Sequence, residues 1–385
     1  MKRLAFTALL AILGASLPGL AVRGDEVTIR GAYYREASTR VIQPVVEISQ
    51  NLPHGFDVET HYLLDAITSA SANAGAGKDS IFTELRNEVG LGFGKSWDRT
   101  RATLGYRYST ESDYWSHGLA GSLAERLWGD TATLALSVGV SFDQATARDR
   151  NPFCADPATN NCPLDVYYGG LSYTQVLSPK AVAQVDAETA YLDGFQGNLY
   201  RTVPNSSFPS ENPPERRLRN AVAGRIAYYF PSTETGLQLH YRFYWDLYPG
   251  TSQLSYDAWA MRSHTIEGRI YQQLSPTLQA RFLYRQYIQN KAAFWCDTLA
   301  SPGCYSTAEG GVAIVAPYQS SDPKLGAMYT EYPEVKLLWE AEQLRDIPFF
   351  RWFASGTFEI SYGYYYQSTS FGNAHVLQTG YTMPY

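Results

Sequence analysis

The segment Gly236-Leu-Gln-Leu-His-Tyr-Arg-Phe-Tyr-Trp-Asp246 alternates between apolar and polar side chains over its whole length. Successive side chains of a β-strand point to opposite faces, so this pattern predicts a strand that is apolar on one face only. The apolar face would carry Leu237, Leu239, Tyr241, Phe243 and Trp245, and the polar face Gln238, His240, Arg242, Tyr244 and Asp246.

Segments of similar length and alternation recur along the rest of the chain and predict about sixteen strands. In residues 131–142 the polar face is made of small residues, and in residues 357–364 it includes Glu359. We predict strands near residues 26–35, 41–50, 55–66, 80–94, 99–110, 114–126, 131–143, 165–177, 181–193, 216–230, 235–248, 256–273, 278–291, 327–341, 350–367 and 374–385.

The connections between these strands alternate between short and long, as they do in barrels whose termini share one side of a membrane. Residues 111–113 and 342–349 depart from the alternation. The short turns are 51–54, 95–98, 127–130, 177–180, 231–234 and 274–277. The longer connections are 67–79, 144–164, 194–215, 249–255, 292–326 and 368–373.

The composition fits a barrel whose apolar face meets lipid. The 385 residues include 30 Tyr and 14% aromatics, yet the mean hydropathy is negative. A soluble sandwich would bury its apolar faces between two sheets. The side chains on the opposite faces here are too charged and too small for the water-exposed surface of such a protein. We therefore predict an all-β fold, a closed antiparallel transmembrane β-barrel of about 16 strands (range 14–18), with short periplasmic turns and long extracellular loops.

Residues 1–21 have the pattern of a secretory signal peptide, with Lys2 and Arg3 before a short apolar run and with Gly19 and Ala21 at a plausible cleavage site. The apolar run is too short to favour a membrane anchor. We expect residues 22–385 to form one domain in the bacterial outer membrane.

The final eleven residues resemble the C-terminal signal by which outer-membrane barrels are recognised for assembly. The signal positions would be Gln378, Gly380, Met383 and Tyr385. The resemblance implies that the barrel-assembly machinery is a partner and that this segment is the closing strand. Pro384 cannot donate to a strand ladder, so we expect it at the end of the strand or with its nitrogen facing away.

Four cysteines form two pairs with equal spacing. Cys154 and Cys162 are eight residues apart, as are Cys296 and Cys304, and both pairs lie in predicted outer loops. In an oxidising compartment each pair could close a loop disulfide. A zinc site is the alternative, but the spacing has no nearby His and does not match usual ligand patterns.

Charged residues on the polar faces divide into two groups that would line opposite walls of the lumen. The walls could form a polar channel or a binding cavity, or ion pairs could fill the interior. Loops 194–215 and 292–326 are candidates to fold inward. The acidic wall would comprise Asp57, Glu59, Asp65, Glu84, Glu88, Asp186 and Glu188, and the basic wall Arg217, Arg219, Arg225, Arg242, Arg281 and Arg285.

We find no motif for catalysis. Ser116 precedes His117 and Ser263 precedes His264, but neighbouring residues of a strand point to opposite faces and cannot act as a pair. His61 shares a face with Asp65, where a structural role is favoured over a base because no nucleophile accompanies it. We therefore predict no enzyme activity, no cofactor and no metal. The net charge of −6 and the lack of a dense basic run argue against nucleic-acid binding.

The stretches 32–36, 40–49 and 64–73 resemble the N-terminal part of the DUF3570 family of uncharacterised bacterial proteins. They contain Tyr-Tyr, Val-Ile-Gln-Pro-Val-Val and an Asp-Ala-Ile-Thr-Ser-Ala-Ser element. The resemblance implies an outer-membrane barrel but no activity. The expected function is a pore or binding barrel for a small polar or anionic solute, surrounded by outer-membrane lipid. The alternatives are a non-conducting anchor for an exported protein partner and, with the least support, an outer-membrane hydrolase.

Overall fold

The computed structural model describes residues 24–37, 39–70, 81–147, 154, 159–199, 203, 211–247, 259–296, 305–307, 313–315 and 318–385. Within these residues, no helix is long and apolar enough to cross a membrane. The strands are β1 (Glu26–Arg35), β2 (Thr39–Leu52), β3 (Phe56–Ala70), β4 (Ile81–Ser96), β5 (Thr100–Thr110), β6 (Tyr114–Leu127), β7 (Ala132–Thr146), β8 (Asn161–Ser178), β9 (Ala181–Gly194), β10 (Arg216–Phe230), β11 (Thr235–Leu247), β12 (Arg262–Ser275), β13 (Leu278–Gln289), β14 (Tyr305–Thr307), β15 (Ala313–Val315), β16 (Met328–Glu340), β17 (Thr357–Gln367) and β18 (Ala374–Pro384).

Sixteen of these strands form one closed antiparallel barrel, which confirms the predicted fold class and strand count. Each barrel strand pairs with its neighbours in the sequence, apart from β14 and β15, which form a separate hairpin between β13 and β16. The barrel closes where β1 pairs with β18 over ten residues. Closure leaves no strand edge unpaired, as a membrane interior requires.

The apolar faces point outward and the polar faces point inward. On the outer face of β11, Leu239 is 63% exposed, and Val138 on β7 is 56% exposed. On the inner face, Asp57, Glu88 and Asp246 are all buried. This arrangement is the reverse of a soluble sandwich and places an apolar belt where the acyl chains of a bilayer would lie.

The connection between β16 and β17 is longer than predicted. The sequence predicts a strand from residue 350, but β17 begins at Thr357, because residues 341–346 and 351–353 form 3₁₀ turns. Phe353 packs against Tyr381 of β18, whose hydroxyl donates to the Phe353 carbonyl at 3.1 Å. Pro348 also lacks the amide that a strand ladder would use. The prediction of strand here was therefore wrong for residues 350–356.

The start of β12 is also later than predicted. The sequence predicts a strand from residue 256, whereas β12 begins at Arg262. Residues 259–261 are irregular, and Trp259 packs over Arg217 inside the barrel. Residues 256–258 lie outside the described part of the chain.

The closing strand has the position that its sequence predicts. Pro384 is the last residue of β18, where its missing amide interrupts no further ladder. The Tyr385 amide donates to the Asp25 carbonyl at 3.0 Å, and the Tyr385 hydroxyl donates to the Ser49 carbonyl at 3.3 Å. The terminal aromatic residue thus ties the last strand to the start of the barrel.

Candidate functional site

The acidic wall of the lumen is partly neutralised by arginines that the sequence analysis missed. Arg101 donates to both carboxylate oxygens of Asp57, at 2.6 and 2.9 Å, and both residues are buried. Arg86 lies 3.4 Å from Asp65 and 3.5 Å from Glu88. Alternation along β4 and β5 places these arginines on the lumen face, so strand parity was a signal that could have identified them.

The other members of this wall have further partners. Arg107 lies 3.6 Å from Glu88, and the Nε2 atom of His61 lies 3.3 Å from the same carboxylate. Asp186 accepts a hydrogen bond of 2.6 Å from the Ser172 hydroxyl. His61 thus contacts Glu88, while Asp65, on the same face, contacts Arg86. Glu59 is exposed on the lumen face.

The basic wall also contains carboxylates. Arg217 binds Asp246 through two hydrogen bonds, at 3.0 and 2.6 Å, and the ring of Trp259 stacks 3.8 Å from its guanidinium. Arg285 and the unpredicted Arg269 both lie 2.6 Å from Glu267. These buried carboxylates hold the arginine side chains in fixed orientations, because charge-assisted hydrogen bonds are short and directional.

Two further arginines of the predicted basic wall pair with carboxylates on β9 and β16. Arg242 reaches across β10 to Glu188 at 3.3 Å, so it joins the two predicted walls directly. Arg281 pairs with Glu334 of β16. The walls are therefore connected networks rather than two isolated surfaces of opposite charge.

A positive excess nevertheless remains on β10–β13. Among the described residues, neither Arg219 nor Arg225 lies within ion-pair distance of a carboxylate, although Arg219 donates to the Tyr244 hydroxyl at 2.8 Å. The lumen-facing arginines of β10–β13 are Arg217, Arg219, Arg225, Arg242, Arg269, Arg281 and Arg285, against the carboxylates Asp246 and Glu267.

Glycines on the lumen face let charged side chains lie flat against the wall. A Cβ atom on Gly94 would sit 2.2 Å from a carboxylate oxygen of Asp57, and one on Gly90 would sit 2.0 Å from the His61 ring. Both distances are well below van der Waals contact. Because these side chains lie along the neighbouring strand, they occupy less of the lumen than extended side chains would.

Extracellular segments fold over the lumen side of β10 and β11. The buried cluster beneath them includes the lumen-facing residues Ala221 and Tyr244, covered by Trp259, Met261 and Phe294. The Trp259 indole also donates to the Arg216 carbonyl at 3.2 Å. These segments therefore cover part of the barrel mouth, as predicted for loop 292–326.

The two longest connections are joined to each other. Asn212 and Gln319 exchange backbone hydrogen bonds of 2.9 and 2.8 Å. The buried carboxylate of Glu211 accepts from the Ser320 hydroxyl at 2.9 Å and from the Asn198 amide at 2.9 Å. We call the residues 195–199, 211–215, 259–261, 290–296 and 318–327 the loop cover. Its segments are held together by these hydrogen bonds and by the buried contacts of Trp259 and Phe294.

Disulfides tie the outer segments, as the cysteine spacing predicts. Cys154 and Cys162 are bonded and pack with Phe195 and Leu199. Cys296 is also disulfide-bonded and is buried against Val203. Cys304 lies outside the described residues. The paired state of Cys154 and Cys162 excludes the zinc alternative for that pair.

Three carboxylates converge at the extracellular end of the acidic wall. Oxygens of Glu84, Glu111 and Asp113 all lie within 4.8 Å of one another, and Glu84 also accepts a hydrogen bond of 2.7 Å from Ser112. Burial, with the nearby Glu84 carboxylate, raises the pKa of Glu111 to about 8. Oxygen ligands of this kind suit Ca²⁺, but a proton on Glu111 at neutral pH relieves the same repulsion.

The two Ser–His dipeptides are divided between the faces of the wall, as predicted. Ser116 faces the lumen and donates to Asp143 at 2.6 Å, while His117 lies on the outer face and is hydrogen-bonded to Tyr106. Ser263 is buried inside and His264 is exposed outside. Neither serine can use the adjacent histidine as a base.

The closed barrel, its apolar outer belt and its polar lumen define an outer-membrane β-barrel protein. The chain belongs to the family described as protein of unknown function (DUF3570), which matches residues 74–162 and 165–378. The family predicted from the sequence is thus confirmed, although the match begins at residue 74 and lies wholly beyond the N-terminal stretches that suggested it. No match was found among curated proteins.

Solved structures with a similar fold are outer-membrane proteins of low sequence identity. Pseudomonas aeruginosa OccD3 (OpdP) shares 12% identity, with 97% of each chain covered and a TM-score of 0.45. A bacterial polysaccharide outer membrane secretin shares 8% identity, covering 94% of this chain and 98% of the other, with a TM-score of 0.47. CdiB from Acinetobacter baumannii shares 8% identity, with a TM-score of 0.49, covering 93% of this chain but 60% of CdiB.

Proposed function

We propose that this protein is an outer-membrane pore for a small anionic solute. The observation that carries the proposal is the positive excess on β10–β13, where Arg219 and Arg225 face the lumen without a carboxylate at ion-pair distance among the described residues. Fixed charges of one sign along the wall of a lumen raise the local concentration of ions of opposite sign. An anion passing this wall would exchange water for guanidinium contacts.

The ion pairs along the walls support the same function. Asp57, Asp246 and Glu267 each bind an arginine, so these guanidiniums are held in fixed positions along the lumen wall. The side chains that lie flat over Gly90 and Gly94 leave space along the acidic wall. The loop cover then narrows the entrance on the side of the basic wall.

The proposal is tested by ion selectivity in planar bilayers. Under a KCl gradient, we expect the reversal potential of the wild-type channel to indicate a preference for chloride. Arg225→Ala should reduce that preference, and Arg225→Lys should retain most of it because the charge is kept. Arg216→Ala is the matched control, since this exposed arginine pairs with Asp193 on the outer side of the wall.

Further variants separate a pore from a closed barrel. Arg242→Ala and Arg285→Ala should also lower chloride preference, because both guanidiniums are partly exposed in the lumen. An absence of channel activity in folded wild-type protein, together with unchanged behaviour of these variants, would overturn the pore.

A second candidate function is a non-conducting barrel that anchors an exported partner. The observation in its favour is the loop cover, whose buried contacts through Glu211 and Trp259 give it the character of a stable cap. This candidate predicts negligible conductance that remains negligible when the loop cover is loosened. It also predicts that a partner protein is retained by the intact cover during mild detergent extraction.

A further inference from the structure

The outer face of the barrel carries an unusual pair of arginines at its extracellular rim. Arg35 ends β1 and Arg40 lies at the start of β2, and the two residues are directly opposite each other in the antiparallel ladder. Both residues are exposed, and neither forms an ion pair with any carboxylate in the described part of the chain. Like charges directly opposite in a sheet are destabilising unless a counterion lies between them.

A histidine extends this cationic pair on the other side of β1. His375 of β18 is the direct partner of Arg35. Its Nδ1 atom is 2.7 Å from the Tyr362 hydroxyl, and the Tyr364 ring packs edge-on at 5.3 Å. When the phenol donates to Nδ1, the neutral ring carries its proton on Nε2 and presents that N–H as a donor. The aromatic contacts hold the ring in this orientation.

The position of the cluster relative to the membrane limits its ligand. Strand parity places Arg35, Arg40 and His375 on the same face as Ile42 and Leu377, which are 48% and 40% exposed on the outer wall. The cluster therefore lies above an apolar surface and faces away from the lumen. A ligand here can contact cations with its headgroup and the apolar wall with its acyl chains.

The same arrangement of tyrosine and histidine recurs at the rim. Tyr106 is 2.6 Å from His117, and Tyr241 is 2.7 Å from His264. His264 also lines a cavity of about 350 Å³ together with Arg262. Polar groups that anchor to headgroups are expected at this level of a membrane barrel. The pair of adjacent arginines distinguishes the β18–β1–β2 rim from these two sites.

We propose that Arg35, Arg40 and His375 bind a phosphate group of a phosphorylated glycolipid in the outer leaflet of the outer membrane. Two guanidiniums side by side can each present two N–H groups to one phosphate. The bound phosphate removes the repulsion between them. The acyl chains of the same lipid cover Ile42 and Leu377 below.

The experiment measures lipid retention by native mass spectrometry of the folded full-length protein in detergent. The probes are diphosphorylated lipid A, the same lipid after dephosphorylation, and inorganic phosphate. Wild-type protein should retain diphosphorylated lipid A on the order of tenfold more than the dephosphorylated lipid, and R35Q/R40Q should lose most of that difference. The matched control is Arg216→Gln, an arginine at the same rim that already pairs with Asp193, and it should retain the lipid as wild type does.

Folding of each variant is checked by its heat-dependent mobility on gels. If R35Q/R40Q does not fold, Arg40→Gln alone should still lower retention, and R35K/R40K should keep part of it. Equal retention of both lipids, or full retention by folded glutamine variants, would overturn the proposal. Displacement of the lipid by millimolar inorganic phosphate would instead indicate a free-anion site. Dimers that form without lipid and are lost in R35Q/R40Q would indicate a contact between copies.

Discussion

Glu211 is the residue whose removal tests whether the loop cover controls passage through the barrel. The residue is buried, with 3% of its surface exposed. It accepts hydrogen bonds from the Ser320 hydroxyl, the Ser321 amide and the Asn198 amide, at 2.9, 3.3 and 2.9 Å. Through these bonds one side chain joins the two longest connections. In Glu211→Ala the three donors lose their shared acceptor.

The size of the effect follows from the number and kind of these bonds. A hydrogen bond to a charged group contributes about 1.5–3 kcal/mol, but donors released by opening of the loops regain water. We take the net loss as about 3 kcal/mol, equal to one or two such bonds. The population of the open cover should then rise about 150-fold.

Single-channel recording measures the effect of this change on conductance, and limited proteolysis measures how often the loop cover opens. Glu211→Ala should show longer or larger conducting events and faster cleavage within residues 290–327, and Glu211→Gln should be intermediate because its amide oxygen still accepts. Glu215→Ala is the matched control, since Glu215 is exposed and contributes its backbone carbonyl rather than its carboxylate to the same loop. Faster cleavage without any change in conductance would refute the idea that the cover gates a pore.

Three other predictions concern stability and assembly. Replacing Cys154 and Cys162 by serine should cost about 2–3 kcal/mol by loop entropy, seen as a lower thermal midpoint in detergent, and an unchanged midpoint would contradict it. The pKa of Glu111 is raised to about 8, so its contribution to stability is intact below about pH 4.5 and is lost as the pH rises through 8. Glu111→Gln should therefore reduce the change in thermal midpoint between pH 5 and pH 9, whereas a pH dependence equal to that of the wild type would refute this account. Deletion of Tyr385 should lower the amount of assembled barrel in the outer membrane, and wild-type levels would show that this residue is not part of an assembly signal.

The barrel itself could be predicted from the sequence because its determinants are local. The alternation in residues 236–246 has a period of two, and that period fixes which side chains face the lumen once a strand is assumed. The aromatic content then selects lipid over a second sheet as the partner of the apolar face. The failure at residues 350–356 has a local cause as well, because apolar aromatic residues such as Phe353 suit both a strand and an interfacial turn.

The charge network of the lumen could not be predicted in the same way because it depends on strand register. Arg101 reaches Asp57 across β4, and Arg242 reaches Glu188 across β10. Parity shows that these groups face inward, but the stagger between strands decides which carboxylate each arginine meets. The loop cover is still harder to predict from the sequence, since the hydrogen bond between Glu211 and Ser320 joins residues 109 positions apart.

Gly380 takes part both in the sequence pattern of the closing strand and in the packing of the lumen ion pairs. It lies within the closing segment that resembles an assembly signal, and a Cβ atom there would sit 2.7 Å from the Glu359 side chain. Glu359 in turn binds Lys336 at 2.5 Å and Arg30 at 3.2 Å. These contacts link β16, β17 and β1 around the strand that completes the barrel. The glycine is therefore required by the folded lumen independently of recognition during assembly, because a larger residue would displace the carboxylate that joins the last strands to the first.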